Sequence, residues 1–251
     1  MNGNAVNEIL TNDAKQVIDY SGDQIRPNLT HFDLDIDAST LTLYFSETVN
    51  ISSLNFSQIT LQDSSTASTN YTLTNGFSLS ENGPIIIVNI TKEDLDLIKF
   101  DFNLATSPEN AFITFPSNLI TDVSGNEVIP ITDGSAYRVA NYTEDTTPPI
   151  LEYFDLDMNT GTITFYFSET VNSDSLNVPA ITIQAAEFVD DDDLDYYYTL
   201  TAANWTSLNS TMITLNITRD LSGEPDDLNE IKRFIPLATS AITPTCLIPV
   251  I

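Results

Sequence analysis

The sequence predicts an all-β protein built of tandem antiparallel β-sandwich domains, and three observations carry that expectation. Apolar and polar residues alternate in short runs. Phe32, Leu34 and Ile36 fall on one side of a strand and Asp33 and Asp35 on the other, while Leu41, Leu43 and Phe45 alternate with Thr42 and Tyr44. That period of two marks a half-buried strand. The chain carries 13 Phe, 10 Tyr and many β-branched residues, which suit a pleated surface. Finally, the whole sequence repeats itself, so each reading in one half is checked in the other.

The elements follow in order. Asp37-Ala38-Ser39 reads as the turn of a first hairpin, and Asn159-Thr160-Gly161 as its better-formed counterpart. Further strands are expected around 57–62, 71–77, 84–90, 110–115 and 136–142. Short strands at this spacing favour a sandwich. One short helix is expected from Thr91 to Ile98, because Thr91 is a good cap with Asp94 three residues on. Its counterpart lies near Arg219 to Ile231.

The repeat is explicit. Phe32-Asp33-Leu34-Asp35 returns as Phe154-Asp155-Leu156-Asp157, and Tyr44 to Asn50 returns as Tyr166 to Asn172, both 122 positions on. After an insertion holding Asp190 to Asp195, Tyr71-Thr72-Leu73-Thr74 pairs with Tyr198-Thr199-Leu200-Thr201, now 127 positions on. Leu104-Ala105-Thr106-Ser107 pairs with Leu237-Ala238-Thr239-Ser240, 133 positions on. The division expected is a first repeat over 24–147 and a second over 148–251 that lacks its final strands. Residues 1–23 match 123–145: Val6, Ala14, Val17, Tyr20 and Asp23 fall on Val128, Ala136, Val139, Tyr142 and Asp145. They read as the tail strands of a preceding repeat, or as a donor segment for a neighbouring subunit. The chain is then either a stretch of a longer tandem array or a subunit that joins its neighbour by strand donation, since an unfinished sandwich exposes a hydrogen-bonding edge.

Charge narrows the function. Against 36 Asp and Glu stand 8 Lys and Arg, a formal net charge of -28. Nucleic acid and anionic membrane surfaces both reward cations, so neither is a partner. No run of 18 apolar residues is present, so no membrane insertion is expected. The single Cys246 excludes an internal disulfide framework and a cysteine zinc site. The single His31 removes most catalytic triads.

Asp145-Thr146-Thr147-Pro148-Pro149 entering a domain, followed by Phe167-Ser168-Glu169-Thr170-Val171, resembles bacterial-type Ig-like repeats of the S-layer and adhesin kind. Asp122-Val123-Ser124-Gly125-Asn126 is similar to a late turn of such domains. The resemblance covers nearly the whole chain and implies tandem Ig-like sandwiches acting as spacers, stalks or adhesive repeats. The first linker, Asp23-Gln24-Ile25-Arg26-Pro27, keeps only the Asp and the second Pro of that pattern.

Asn-x-Ser/Thr sequons stand at Asn28, Asn50, Asn55, Asn70, Asn89, Asn141, Asn204, Asn209 and Asn216. That is about twice the chance number of roughly five, and none carries Pro at its centre. Asn89 and Asn216 are equivalent in the two repeats. N-linked glycans are therefore expected, and with them passage through a secretory pathway and an extracellular location. Acidic clusters supply the second chemical signal. Calcium takes six to eight oxygens from flexible anionic loops, and Asp122, Asn126, Asp145, Asp155 and Asp157 are its candidate ligands near a junction. The competing reading makes Asp33 and Asp35 a solvated strand face and the 190–195 run a self-repelling hairpin tip.

No catalytic residue is expected. Paired carboxylates are inevitable in so acidic a chain, and the recurring Glu47 and Glu169 read as structural, at a strand end. His31 reads as a surface residue, Cys246 as a small buried hydrophobe, and Trp205 as packing. The sequence thus points to an extracellular structural glycoprotein, the repeat unit of a filament, fibre or stalk whose partner is another copy. The alternative is a cell-surface adhesin for carbohydrate or another cell, with calcium.

Overall fold

The computed structural model describes residue 3 and residues 5–184, 197–201, 203–205, 210–217, 231 and 245–247. The sequon at Asn209, the 190–195 insertion, the Cys246 side chain and all but Ile231 of the expected second helix lie outside the described residues. Strand is the commonest regular structure of the described residues, arranged in several largely antiparallel sheets.

The alternating runs form the hairpin they predict. β1 (Leu29–Asp35) pairs antiparallel with β2 (Thr40–Asn50), placing Phe32 opposite Leu43 and Leu34 opposite Leu41. All four side chains are buried, and each such burial contributes about 1.5–3 kcal/mol. β11 (Leu151–Asp157) and β12 (Thr162–Val171) repeat this register 122 positions on, including the same bulge between the first two pairs. The turns differ in one respect: Ser39 sits at φ 58, where the second hairpin has Gly161 at φ 67.

Two sheets share the first buried cluster. One runs β10 (Asn141–Thr143), β1, β2, β6 (Gly83–Ile90), β5 (Gly76–Phe77), with β8 (Thr121–Asp122) beside the far end of β2. The other runs β4 (Asn70–Thr72), β3 (Thr60–Gln62), β7 (Phe112–Thr114), β9 (Tyr137–Arg138). The strand expected over 136–142 is in fact two short strands in different sheets. At the crossing, Val139 N donates to Ala111 O at 2.9 Å and Ala140 N donates to Phe32 O at 2.8 Å, so successive amides bond to opposite sheets. After this switch β10 lies parallel to β1, a departure from the purely antiparallel expectation.

The second cluster is built the same way. One sheet runs β11, β12, β16 (Ser210–Asn216), β15 (Asn204–Trp205), and the other runs β14 (Tyr197–Thr199), β13 (Thr182–Gln184), β17 (Thr245–Leu247). Thr182 faces Thr199 as Thr60 faces Thr72, and Ile183 faces Cys246 as Leu61 faces Ile113. Among the described residues no strand lies on the outer edge of β11 or of β17, the edges that β10 and β9 cover in the first pair of sheets. Burial follows suit. Phe32, Leu34 and Phe45 are buried, whereas their counterparts Phe154, Leu156 and Phe167 are half-buried.

The helix α1 (Lys92–Phe100) starts where the cap predicts, with Thr91 Oγ1 accepting from Asp94 N at 3.2 Å. Leu95 and Ile98 enter the first core, and Ile231 is buried in the second. Residues 5–23, read as tail strands, form no strand within this chain and are exposed along their length.

Candidate functional site

The chemistry of the molecule concentrates where the first pair of sheets meets the second. Asp94, fully buried, fixes α1 from beneath: it accepts from Tyr71 Oη at 2.7 Å, Thr74 Oγ1 at 2.8 Å, and the amides of Thr74 and Asn75. Burial pushes its carboxyl upward, but these donors outweigh it and hold the group below the usual carboxylate range. With Leu95 and Ile98 anchored inside, Lys99 projects from the last turn toward β12.

Lys99 Nζ donates to Asp145 Oδ2 at 2.7 Å and to Glu169 Oε2 at 2.6 Å; the Lys99 and Glu169 side chains are largely shielded from water, while Asp145 sits at the wetter rim. Burial alone would depress the ammonium, yet the two carboxylates raise its pKa. In Glu169 it is burial that prevails. Burial raises it, and Lys99 offsets only part of that rise. One residue along, Thr170 N donates to Asp96 Oδ1 at 3.3 Å and Thr170 Oγ1 to the Asp96 carbonyl at 2.9 Å. The linker is tied as well: Asp37 Oδ1 accepts from the amides of Thr146 and Thr147 at 2.9 and 3.0 Å. Together with Pro148-Pro149, these bonds leave the connection few free torsions.

The same carboxylates recur at the opposite end of the first pair of sheets. Asp23 and Glu47 stand 122 positions before Asp145 and Glu169, and with Asp122 they form a group whose carboxylate oxygens lie within 4.8 Å of one another. Asp122 is satisfied by Ser124 N, Asn126 N and Asn126 Nδ2 at 2.7–2.8 Å. Glu47 is not: its Oε1 is buried without a hydrogen-bond partner. Burial, then Asp23 and Asp122, raise its pKa. The neighbouring Arg26 donates instead to the carbonyls of Glu127 and Val128, at 2.7 and 2.6 Å.

The proposed calcium ligands are dispersed among other partners. Asp122 and Asn126 bond to each other, Asp145 pairs with Lys99, Asp155 accepts from Tyr166 Oη at 3.1 Å, and Asp157 caps its own turn through Asn159 N at 2.8 Å. Of the four aspartates, Asp122 alone joins the carboxylate group found among the described residues. Asp33 is more than a solvated face. It accepts from Tyr44 Oη at 3.0 Å and Asn141 Nδ2 at 2.8 Å, tying three strands together.

Of the sequons, Asn55, Asn70, Asn141, Asn204 and Asn216 are exposed, while Asn28, Asn50 and Asn89 are half-buried. Ser57 Oγ donates to Asn55 Oδ1 at 2.8 Å, and Asn89 Nδ2 donates to the Phe77 carbonyl at 3.3 Å. His31 stacks on Tyr44 with ring centroids 4.1 Å apart, as its counterpart Tyr153 stacks on Tyr166 at 4.3 Å. Trp205 packs against the second core.

Sequence reasoning missed Lys99. The signal was present: Ile98-Lys99 and Ile231-Lys232 are separated by the 133 positions that relate the later segments of the two repeats. No family model matches the chain, and no curated protein matches it in sequence.

Proposed function

We propose that this chain is an extracellular structural glycoprotein, the repeat unit of a filament, fibre or stalk assembled as a head-to-tail array of Ig-like sandwiches. The observation that carries this reading is the internal junction, where Lys99, Asp145 and Glu169 and the Asp37-bound linker lock one pair of sheets against the next. A recognition module strung on loose tethers has no use for such a connection, whereas an axially loaded shaft does. The repeated hairpin register supports successive units of one kind, and five exposed sequons suit a sugar-coated exterior. Among the described residues no helix is long and apolar enough to cross a membrane.

Electron microscopy of the native material, paired with mass measurement before and after enzymatic removal of N-glycans, tests both halves. Filaments with an axial repeat of one chain and a mass loss of several glycans are expected. Isolated particles of unchanged mass would overturn the proposal.

A further inference from the structure

Three elements bring Asp23, Glu47 and Asp122 together. β8 pairs with β2 so that Asp122 stands opposite Val49, close along the strand to Glu47. The turn after β8 then holds Asp122 in place: Ser124 N and Asn126 N donate to its Oδ1, and Asn126 Nδ2 donates to its Oδ2. The entering chain is fixed beside that turn, with Asn126 Nδ2 donating to the Asp23 carbonyl at 3.3 Å and Ile25 N to Asp23 Oδ1 at 2.9 Å. A linker, a strand and a turn thus converge, with one oxygen of each carboxylate within 4.8 Å of the others. Asp122, at the base of the group, is 1% exposed.

Two further observations point to a cation there. The first is Glu47 Oε1, which is buried and has no hydrogen-bond partner. A carboxylate oxygen so placed is costly unless a positive charge faces it. Among the described residues no ion pair involves any of the three, and Arg26 is committed to the carbonyls of Glu127 and Val128. The second is the internal repeat. Asp145 and Glu169, the counterparts of Asp23 and Glu47, close on the Lys99 ammonium at 2.7 and 2.6 Å. The same two positions therefore hold a cation where the chain supplies one. At Asp23 and Glu47 the chain supplies a third carboxylate instead.

The donor set selects the ion. It is all oxygen and anionic, without imidazole or thiolate, which suits a hard cation and not zinc or copper. Oxygens bound to one calcium at 2.3–2.6 Å lie at most about 5 Å apart, a limit this group meets. Calcium tolerates an irregular shell completed by water, whereas magnesium demands a near-ideal octahedron. Asp23 is exposed, so water reaches the open side of the group. We propose that Asp23, Glu47 and Asp122 form a calcium site that ties the entering chain to β2 and to the turn after β8. All three ligands belong to one chain, so the site stands apart from the array reading.

The test titrates calcium chloride into the full-length chain after chelator treatment, in enough sodium chloride to screen diffuse attraction to the acidic surface. Calorimetry is expected to show a saturable site with a dissociation constant on the order of 0.1–1 mM, weakened roughly tenfold or more in Glu47→Gln and in Asp23→Asn. Glu152→Gln removes the same charge from an exposed position on β11 and should leave the isotherm unchanged. Thermal melts separate a metal ligand from a merely structural side chain. In chelator, Glu47→Gln should melt no lower than the wild type, because it relieves the crowding of three carboxylates. In calcium, the wild type should gain several degrees and Glu47→Gln almost none. Circular dichroism of each variant verifies its fold.

Three results overturn the proposal. One is a calcium isotherm in Glu47→Gln that matches the wild type. Another is a calcium-induced rise in melting temperature that is equal in the two. The third is the same rise from magnesium chloride at equal concentration, which would reduce the effect to screening of a chain with a net charge of -28. Any of these outcomes leaves the array reading, and the imaging that tests it, untouched.

Discussion

At the scale of single residues, the informative side chains are those whose partners lie far away in sequence. Asp94 reads as a helix-cap companion of Thr91, and it is, yet its carboxylate also gathers Tyr71, Thr74 and Asn75. Asp94→Ala would leave buried donors unpaired and is expected to cost about 3 kcal/mol, read from urea unfolding. Its folded pKa lies below the unfolded value, so its contribution is present at neutral pH and lost as the pH falls through 3.8 and below. Asp94→Ala should therefore lose stability less steeply in acid than the wild type. Ser39 gives the opposite opportunity. It holds a left-handed conformation that its counterpart assigns to Gly161, so Ser39→Gly is expected to stabilise the chain by up to about 1 kcal/mol, seen as a raised Tm.

At the scale of elements, local patterns were legible and long-range pairings were not. Strict alternation through Phe32–Ile36 and Leu41–Phe45 produced β1 and β2 in the register their apolar faces require, because a slip of one residue would turn the whole apolar set to solvent. The Thr91 cap located the start of α1, while the helix runs on past the expected Ile98 to Phe100. The stretch near 136–142 was misread as one strand, since nothing local announces that Val139 and Ala140 bond to opposite sheets. Lys99 was invisible for a related reason: its role depends on carboxylates 46 and 70 positions away. Lys99→Met should leave Asp145 and Glu169 facing each other unneutralised, costing about 1–2 kcal/mol at this partly wetted site. Limited proteolysis is the direct readout, with cleavage in 144–149 rising several-fold while circular dichroism stays unchanged.

For the whole molecule, charge is the governing quantity. A net charge of -28 sets copies of the chain to repel one another, and among the described cations Lys99 bridges the two pairs of sheets. As the pH approaches the isoelectric value near 4.1, that repulsion vanishes, and light scattering should show association with a solubility minimum close to that pH. The parallel pairing of β10 with β1 has a mechanical consequence. Under the axial load of the proposed array, tension would enter the first pair of sheets at Pro27, just before β1, and leave at Glu144, just after β10. Because the two strands run in the same direction, opposed pulls slide them along each other instead of peeling them apart. The bonds linking Asp33, Leu34 and Asp35 to Asn141, Tyr142 and Thr143 are then loaded together, across their length, and must fail as a group. An antiparallel final strand would have opened like a zipper, one bond at a time.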